Sequence, residues 1–316
     1  MAYGPLKVSI LCPTFQQVAL VARCVESLVA QKTSFSYEVL VRDDGSTDGT
    51  QEVLLDLQRR FPDKIRLMLE PKNTYSEVDP ISPLLAESRG ELIALCEGDD
   101  YWISNAKLEH CARELWQNSN LVMVGHLAAF EPTYHALSPS PVVKEFGQYG
   151  HYLRGEIPRL HTSSMVLRKQ ALLESWGSCP IVRAGDMRLK VLAAETGETL
   201  VLPDLMSVIG SNRAGLWQGI SSVQRAELAL ETYASLSKFA MHSWVDLKRE
   251  YTAISAQDVQ RLIAEGRALR AAFLWLKWRY FLTALRTPSS PLSILQEVAR
   301  AWKLKMGGML GPLRRR

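Results

Sequence analysis

The chain has 316 residues, enough for one large α/β domain with appendages or for two modest domains. Its net charge of +4 is unevenly placed, because residues 266–316 carry eleven Lys or Arg and one acid, whereas the remainder has 26 basic and 32 acidic residues. No charge-free run reaches the length of about 20 residues that a bilayer crossing needs, which argues against an integral membrane protein. The basic end predicts an anionic partner, either a membrane surface or nucleic acid.

Apolar runs alternate with helix-like segments from the start of the chain. Strands are predicted at 6–13, 38–41, 65–69 and 92–96, and helices at 16–31, 48–60, 84–88 and 105–117. Asp48 and Gln51 resemble a capping box at the start of the second helix. An irregular loop at 131–155 precedes a strand at 163–167, a helix at 186–196, a short strand at 199–202 and helices from 218 onward. This order predicts an α/β fold with a doubly wound, mostly parallel sheet.

Two pairs of acids directly follow predicted strands. Asp43 and Asp44 end the second strand, and Asp99 and Asp100 follow the fourth. Adjacent like charges are costly to bury unless a positive or hydrogen-bonding group lies opposite them. Because the carboxyl ends of parallel strands meet at the ligand-binding edge of a sheet, these acids predict a site for a divalent metal and a polar ligand.

The segment Glu97-Gly98-Asp99 carries the clearer metal signal. Hard cations such as Mg²⁺ and Mn²⁺ bind through one or two carboxylates together with substrate phosphates, and Gly98 allows close approach of the backbone to a ligand. The structural alternative is a solvated acidic turn before a helix, just as Asp43 to Gly49 alternatively form a simple turn. Cys12 and Cys96 lie inside apolar runs and are expected to be reduced core residues.

Together these segments resemble the inverting family 2 glycosyltransferases, which have the Rossmann-like GT-A fold. The segments that carry the resemblance are VSILCPTF at 8–15, VRDDGSTDGT at 41–50, RGELIALCEGDDYW at 89–102, GD at 185–186, MSV at 206–208 and GLW at 215–217. The resemblance covers residues 6–220 and implies a GT-A domain at 1–220, followed by a helical, basic region at 221–316.

The resemblance implies a role for each matched position. Asp186 would be the catalytic base, and Asp99 would bind a divalent metal, Mn²⁺ or Mg²⁺. The nucleotide sugar would be bound by residues at three strand ends and in the last matched segment: Pro13, Thr14, Phe15, Asp43, Asp44, Glu97, Gly98, Asp99 and Trp217. Asp44 would contact the uracil of a UDP-sugar, and Glu97 would face the ribose. From the residues alone, a helix N-cap is the favoured interpretation of Asp186, because Asp is a preferred N-cap residue.

Two positions depart from the family pattern. The D-x-D motif reads Glu97-Gly98-Asp99, and Asn212 stands where related sequences often carry a His, with Arg213 next to it. Three other classes were considered: a catalytically weak GT-A scaffold protein, a sugar nucleotidyltransferase and a nicotinamide dehydrogenase. The last two are disfavoured, because neither a Gly-rich phosphate loop nor G-x-G-x-x-G follows the first strand.

The expected activity is metal-assisted transfer of a hexose from a nucleoside-diphosphate sugar, UDP-linked in the first instance, to a hydroxyl of a glycan or lipid-linked acceptor. The hydroxyl-rich segment from His161 to Ser164 would line the acceptor side. No signal segment precedes the first strand, so we expect a cytoplasmic protein, with the basic end contacting the inner face of the membrane. No nucleic-acid partner is expected, because no such binding motif is present.

Overall fold

A computed structural model describes residues 6–75, 78–131, 152–157, 160–182, 184–210 and 222–243. The strands in these ranges are β1 (Val8–Thr14), β2 (Tyr37–Asp43), β3 (Ile65–Leu69), β4 (Leu92–Leu95), β5 (Tyr101–Trp102), β6 (Leu121–Phe130), β7 (Tyr152–Arg154), β8 (Val166–Arg168) and β9 (Glu198–Ile209). The helices are α1 (Val21–Val29), α2 (Thr50–Arg60), α3 (Ile81–Glu87), α4 (Lys107–Gln117), α5 (Lys169–Trp176), α6 (Gly185–Thr196) and α7 (Ser222–Leu236).

The described strands form a single sheet in the order β3-β2-β1-β4-β8-β6-β9-β5, with β7 also paired to β9. The pairings among β1 to β4 are parallel, as expected for strands joined by crossover helices. The pairing of β6 with β9 is also parallel, whereas β8 joins the two halves through antiparallel pairs with β4 and β6. The α/β sheet predicted from the sequence, and its match to the GT-A architecture, are confirmed.

Apolar side chains cover both faces of the sheet. Alternate residues of β1 point to opposite sides, so that Leu11 belongs to one buried cluster and Ile10 and Cys12 belong to the other. One cluster packs against α3, α5, α6 and α7, and the other packs against α1, α2 and α4. Helices on both faces are what a doubly wound sheet requires, and they leave the strand ends open for ligands.

Several predicted boundaries differ from the observed ones. Strands β5 and β6 and helix α5 were not predicted, and β9 is much longer than the strand predicted at 199–202. Of the loop predicted at 131–155, residues 132–151 lie outside the described residues, and part of the remainder forms β7. Cys12 and Cys96 are buried free thiols, as expected.

Helix α7 begins immediately after the domain boundary predicted at 220. Its Tyr233 and Leu236 join the buried cluster that contains α6, so this helix packs against the main body of the protein. The basic residues that follow lie beyond residue 243, outside the described part of the chain. Within the described ranges, no helix combines the length and the apolarity needed to cross a bilayer.

Candidate active site

Strands β1, β2 and β4 end at the same edge of the sheet, and β1 lies between the other two. Thr14 at the end of β1 is in register with Asp43 of β2, and the Asp44 amide donates to the Thr14 carbonyl at 3.0 Å. On the other side, the Gly98 amide donates to the Pro13 carbonyl at 3.1 Å. The two acidic segments predicted from the sequence therefore flank the end of a single strand.

Asp43 is fully buried and holds its own loop together. Its carboxylate accepts hydrogen bonds from the Thr14 hydroxyl at 3.0 Å, from the amide and hydroxyl of Ser46, and from the Gln51 amide group at 2.8 Å. Gln51 therefore does not complete a capping box with Asp48, and that prediction is wrong. Because these neighbours surround the Asp43 carboxylate, its visible role is to shape the loop beside the site.

Asp44 faces a buried positive charge. The Arg42 guanidinium donates to Asp44 Oδ1 at 2.9 Å and to Glu70 Oε1 at 3.1 Å, and only 2% of the Arg42 side chain is exposed. The Thr74 hydroxyl also donates to Asp44 Oδ1, at 2.7 Å. This arrangement supplies the opposite charge that an adjacent acid pair requires, and it ties the strand end to the segment after β3.

Gly45 lets that segment pass directly over the end of β2. Its φ of +75° lies in the left-handed region, and a Cβ at this position would lie 2.3 Å from the Lys72 carbonyl carbon. Only glycine adopts this φ without strain and also leaves room for the Lys72 backbone. Phe15, with 36% of its surface exposed, directly follows β1 at the same edge of the sheet.

The acidic turn after β4 brings three carboxylates together. One oxygen from each of Glu97, Asp99 and Asp100 lies within 4.8 Å of the others. Burial, followed by the charges of Asp99 and Asp186, raises the pKa of Glu97 to about 8. Burial and the neighbouring Glu97 and Asp99 charges also raise the pKa of Asp100 well above its ordinary value. The three carboxylates thus lie close together without enough nearby positive charge to stabilise their ionised forms.

These donors suit a hard divalent cation. All three are carboxylates, the ligand type that Mg²⁺ and Mn²⁺ prefer. Among the described residues, no hydrogen bond to the buried Asp100 Oδ2 atom is formed, and a cation would satisfy it. The sequence analysis named Asp99 as the metal ligand, and the structure adds Glu97 and Asp100 as candidate ligands beside it.

Asp186 lies in the first turn of α6, and Ala184 occupies the N-cap position, so the N-cap interpretation of Asp186 is wrong. Asp186 Oδ2 accepts from the Lys190 ammonium at 2.8 Å, one helical turn further on. Burial alone would raise the pKa of Asp186, but the charge and hydrogen bond of Lys190 outweigh it, and the pKa is lowered. The charge of Asp186 is in turn one of the causes that raise the pKa of Glu97, after burial and Asp99.

His161 also contacts this cluster. Its Nδ1 lies 3.3 Å from Asp100 Oδ2 and 2.9 Å from the Ser163 hydroxyl. Burial lowers the pKa of His161 to about 4, so its imidazole is neutral at pH 7 and the contact with Asp100 is not an ion pair. The sequence analysis named His161 only as part of a possible acceptor surface.

The Ser163 carbonyl anchors the turn that carries His161. It accepts from Trp102 Nε1 at 2.9 Å and from the buried Lys107 ammonium at 2.6 Å. Trp102 is therefore a core residue and is not placed to stack on a sugar. Lys107 was not identified from the sequence, because a lysine in the first turn of a helix gives no sign of being buried.

The end of β9 closes over the acidic turn. The Gly210 amide donates to Asp100 Oδ1 at 3.0 Å, and a Cβ on Gly210 would lie 1.8 Å from the Asp99 carbonyl oxygen. The chain therefore leaves β9 next to the three carboxylates. Trp217, predicted to contact the nucleotide sugar, and the departure at Asn212 lie outside the described residues.

Comparison with known proteins identifies the group to which this site belongs. The model of glycosyl transferase family 2 matches residues 9–176, just over half of the chain. The chain belongs to glycosyl transferase family 2. The matched range contains β1, β2 and β4 with their acidic segments, and it ends before Asp186. Family membership favours glycosyl transfer over the nucleotidyltransferase alternative.

Relatives and solved structures agree with this family 2 assignment. An uncharacterized protein from Mycobacterium tuberculosis is 28% identical over 92% of this chain and 91% of its own length. The mannosyltransferase PcManGT from Pyrobaculum calidifontis, solved with GDP-Man and Mn²⁺, superposes with a TM-score of 0.60 at 17% identity, covering 96% of this chain and 83% of that one. TarS from S. aureus, solved with UDP-GlcNAc, gives 0.55 at 14% identity, covering 87% and 92%. At these identities the two structures establish the fold alone.

Proposed function

We propose that this family 2 glycosyltransferase moves a hexose from a nucleoside-diphosphate sugar to a hydroxyl of a glycan or lipid-linked acceptor, with Asp186 as the general base. The observation that supports the proposal is the cluster of three carboxylates at the end of β4, together with the electrostatic effect of Asp186 on Glu97, which belongs to that cluster. In an inverting transfer, the base and the diphosphate site must lie on opposite sides of the sugar ring. Asp186 would supply the base, and the acidic turn would supply the diphosphate site.

The base of the nucleotide would lie between Phe15 and Asp44. The Asp44 carboxylate is held at the end of β2 by Arg42 and Thr74, and it can accept the imide N–H of uracil. We therefore propose a UDP-sugar as the donor. The structural neighbours, solved with GDP-Man and with UDP-GlcNAc, support a hexose as the transferred group.

The diphosphate would lie against the acidic turn. Glu97, Asp99 and Asp100 would hold Mn²⁺ or Mg²⁺ there, and such an ion neutralises charge that develops on a leaving diphosphate. Without a cation, three close carboxylates repel a diphosphate. Binding of nucleotide is therefore expected to depend on the metal.

Asp186 would perform the proton transfer. Because its pKa is lowered, its carboxylate is ionised at neutral pH and can accept the proton of the acceptor hydroxyl. The hydroxyl oxygen then bonds to the anomeric carbon, while the bond from that carbon to the diphosphate breaks and its electron pair stays with the diphosphate. Attack from the face opposite to the leaving group inverts the anomeric centre. General-base assistance of this kind contributes about 10²–10⁴-fold to the rate.

The test measures nucleotide release from UDP-glucose, UDP-GlcNAc and GDP-mannose with Mn²⁺. For the productive donor, we expect Asp186→Asn to keep metal-dependent nucleotide binding but to lose about 10²–10⁴-fold in turnover. Asp99→Asn should lose the Mn²⁺-dependent rise in melting temperature with UDP. The matched control is Asp56→Asn, whose exposed side chain pairs with the exposed Arg59. Wild-type turnover by Asp186→Asn would contradict the base assignment, and binding without turnover in the wild type would favour a scaffold protein.

We also propose that two parts of the chain have different roles. The GT-A body at 1–220 would carry the site, and the region at 221–316 would bring it to the inner face of a membrane. The support is the charge of residues 266–316, since each basic residue near an anionic surface contributes about 1 kcal/mol to binding. At the membrane surface, the site would reach a lipid-linked acceptor.

A further inference from the structure

Lys190 is a buried cation in the proposed catalytic crevice. It lies on α6 one turn after Asp186, and its ammonium is 2.8 Å from Asp186 Oδ2. Only 8% of the Lys190 side chain is exposed, compared with 29% of Asp186. An exposed pair at this helical spacing is worth little, but a desolvated one has a strong local effect on the charge of its partner.

The other groups around Asp186 do not replace Lys190. His161 faces it from the turn before β8 and is neutral at pH 7, because burial lowers its pKa to about 4. Glu97 faces it from the end of β4, and any negative charge there opposes ionisation of Asp186. Asp99 and Asp100 belong to the same acidic turn. Among the described residues, Lys190 thus favours the ionised form of Asp186 from hydrogen-bonding distance.

We propose that Lys190 is the positioning residue of the catalytic base: it keeps the Asp186 carboxylate charged and turned toward the acidic turn. This inference rests on the proposed function of Asp186. Lys190 itself does not touch the reacting atoms. When Asp186 takes the proton of the acceptor hydroxyl, it no longer forms an ion pair with Lys190. The Lys190 ammonium is then available to the negative charge that develops on the leaving diphosphate.

The direct test is a titration of Asp186 in the metal-free protein, followed by the NMR signal of its side-chain carboxyl carbon. The spectrum of Asp186→Asn identifies the resonance. We expect the apparent pKa to rise by about one to three units in Lys190→Met, because burial continues to oppose ionisation without the compensating cation. Lys190→Arg should restore the low pKa. Lys238→Met, which removes an exposed lysine from the segment after α7, is the matched control.

A second measurement follows the pH profile of nucleotide release from the productive UDP-sugar. In Lys190→Met the acid limb should move to higher pH, so that the rate at pH 5 falls severalfold while the rate above pH 8 stays close to that of the wild type. The Kd of UDP in the presence of Mn²⁺ should stay within twofold of the wild type.

An unchanged Asp186 titration in Lys190→Met would overturn the inference, as would a weaker Kd of UDP with an unmoved acid limb. The latter result would make Lys190 a diphosphate ligand. These outcomes are separate from failure of the proposed function, which wild-type turnover by Asp186→Asn reveals. Thermal unfolding of each variant shows that the compared proteins are folded.

Discussion

Arg42 supplies the positive charge that the adjacent acids at the end of β2 need. The sequence showed that Asp43 and Asp44 required such a partner, but it did not reveal that the residue before them would be that partner. Arg42 and Asp44 are two residues apart and lie on the same side of the strand end, but the guanidinium is held there by further hydrogen bonds to Glu70 and Thr74. Contacts of this kind depend on the path of the chain after β3, which no local pattern specifies.

Replacing Arg42 by Met should destabilise the protein strongly. It removes one partner of a buried ion pair and leaves Asp44 without a compensating charge, a change that typically costs about 3–5 kcal/mol. Chemical denaturation at pH 7 measures the loss of unfolding free energy. Arg59→Met, at a site where 74% of the side chain is exposed, should change stability by no more than about 0.5 kcal/mol. Equal effects of the two substitutions would contradict this account of Asp44.

Gly98 offers a second test at the residue scale. A Cβ at this position would lie 2.3 Å from Gln17 Oε1 and 2.5 Å from Thr14 Cγ2, so Gly98→Ala must displace the acidic turn from the end of β1. We expect a loss of about 1–3 kcal/mol in stability and weaker Mn²⁺-dependent UDP binding. Gly177→Ala is the control, because an added methyl group there meets no atom within 4 Å. Unchanged UDP binding by Gly98→Ala would contradict the placement of the turn.

At the scale of elements, α6 connects the proposed base to the segment after α7. Asp186 and Lys190 occupy its first half, and Glu195 near its end accepts from the backbone amides of Met241, His242 and Ser243. Burial alone would raise the pKa of Glu195, but the hydrogen bonds of Ser243 and the neighbouring amides lower it to about 2. The Glu195 carboxylate thus binds the segment from Met241 to Ser243 to α6, the helix that carries Asp186.

Glu195→Gln should therefore lower stability in a pH-dependent way. Because the pKa of Glu195 is lower in the folded than in the unfolded protein, its contribution is complete above the ordinary carboxyl pKa and is lost as pH falls toward 2. Unfolding free energies measured from pH 7 to pH 3 should show the gap between variant and wild type narrowing. Glu174→Gln, an exposed site on α5, should show no such trend. A gap that stays constant with pH would contradict the role of this carboxylate.

Helices and strands whose apolar residues recur with a clear period could be predicted from the sequence, and those without such a period could not. The strands β1 to β4 each stand between recognisable helices, so their order and the convergence of their ends followed from the sequence. Strand β6 is buried along its first six residues, and a continuous apolar run does not distinguish a strand from a buried helix. The site shows the same limit: Asp186 and Lys190 are four residues apart on one helix, but only the packed structure reveals that they form a buried pair.

At the scale of the whole molecule, the basic end is the feature that family membership leaves unexplained. A chain ending at Gly266 removes the excess positive charge beyond that residue and should keep metal-dependent UDP binding. It should lose binding to liposomes that contain anionic lipid, whereas the full chain should bind them and be released by added salt. Sedimentation with anionic and neutral vesicles measures this. Equal binding of both chains to anionic vesicles would contradict the proposed membrane contact.

The arrangement of the whole site can be tested most directly by diffraction from crystals soaked with UDP and Mn²⁺, with data collected at the manganese absorption edge. Our account predicts an anomalous peak among Glu97, Asp99 and Asp100, with the uracil beside Phe15 and Asp44 and the Asp186 carboxylate facing the diphosphate end. A manganese peak away from these three carboxylates, or a nucleotide bound elsewhere on the protein, would contradict it.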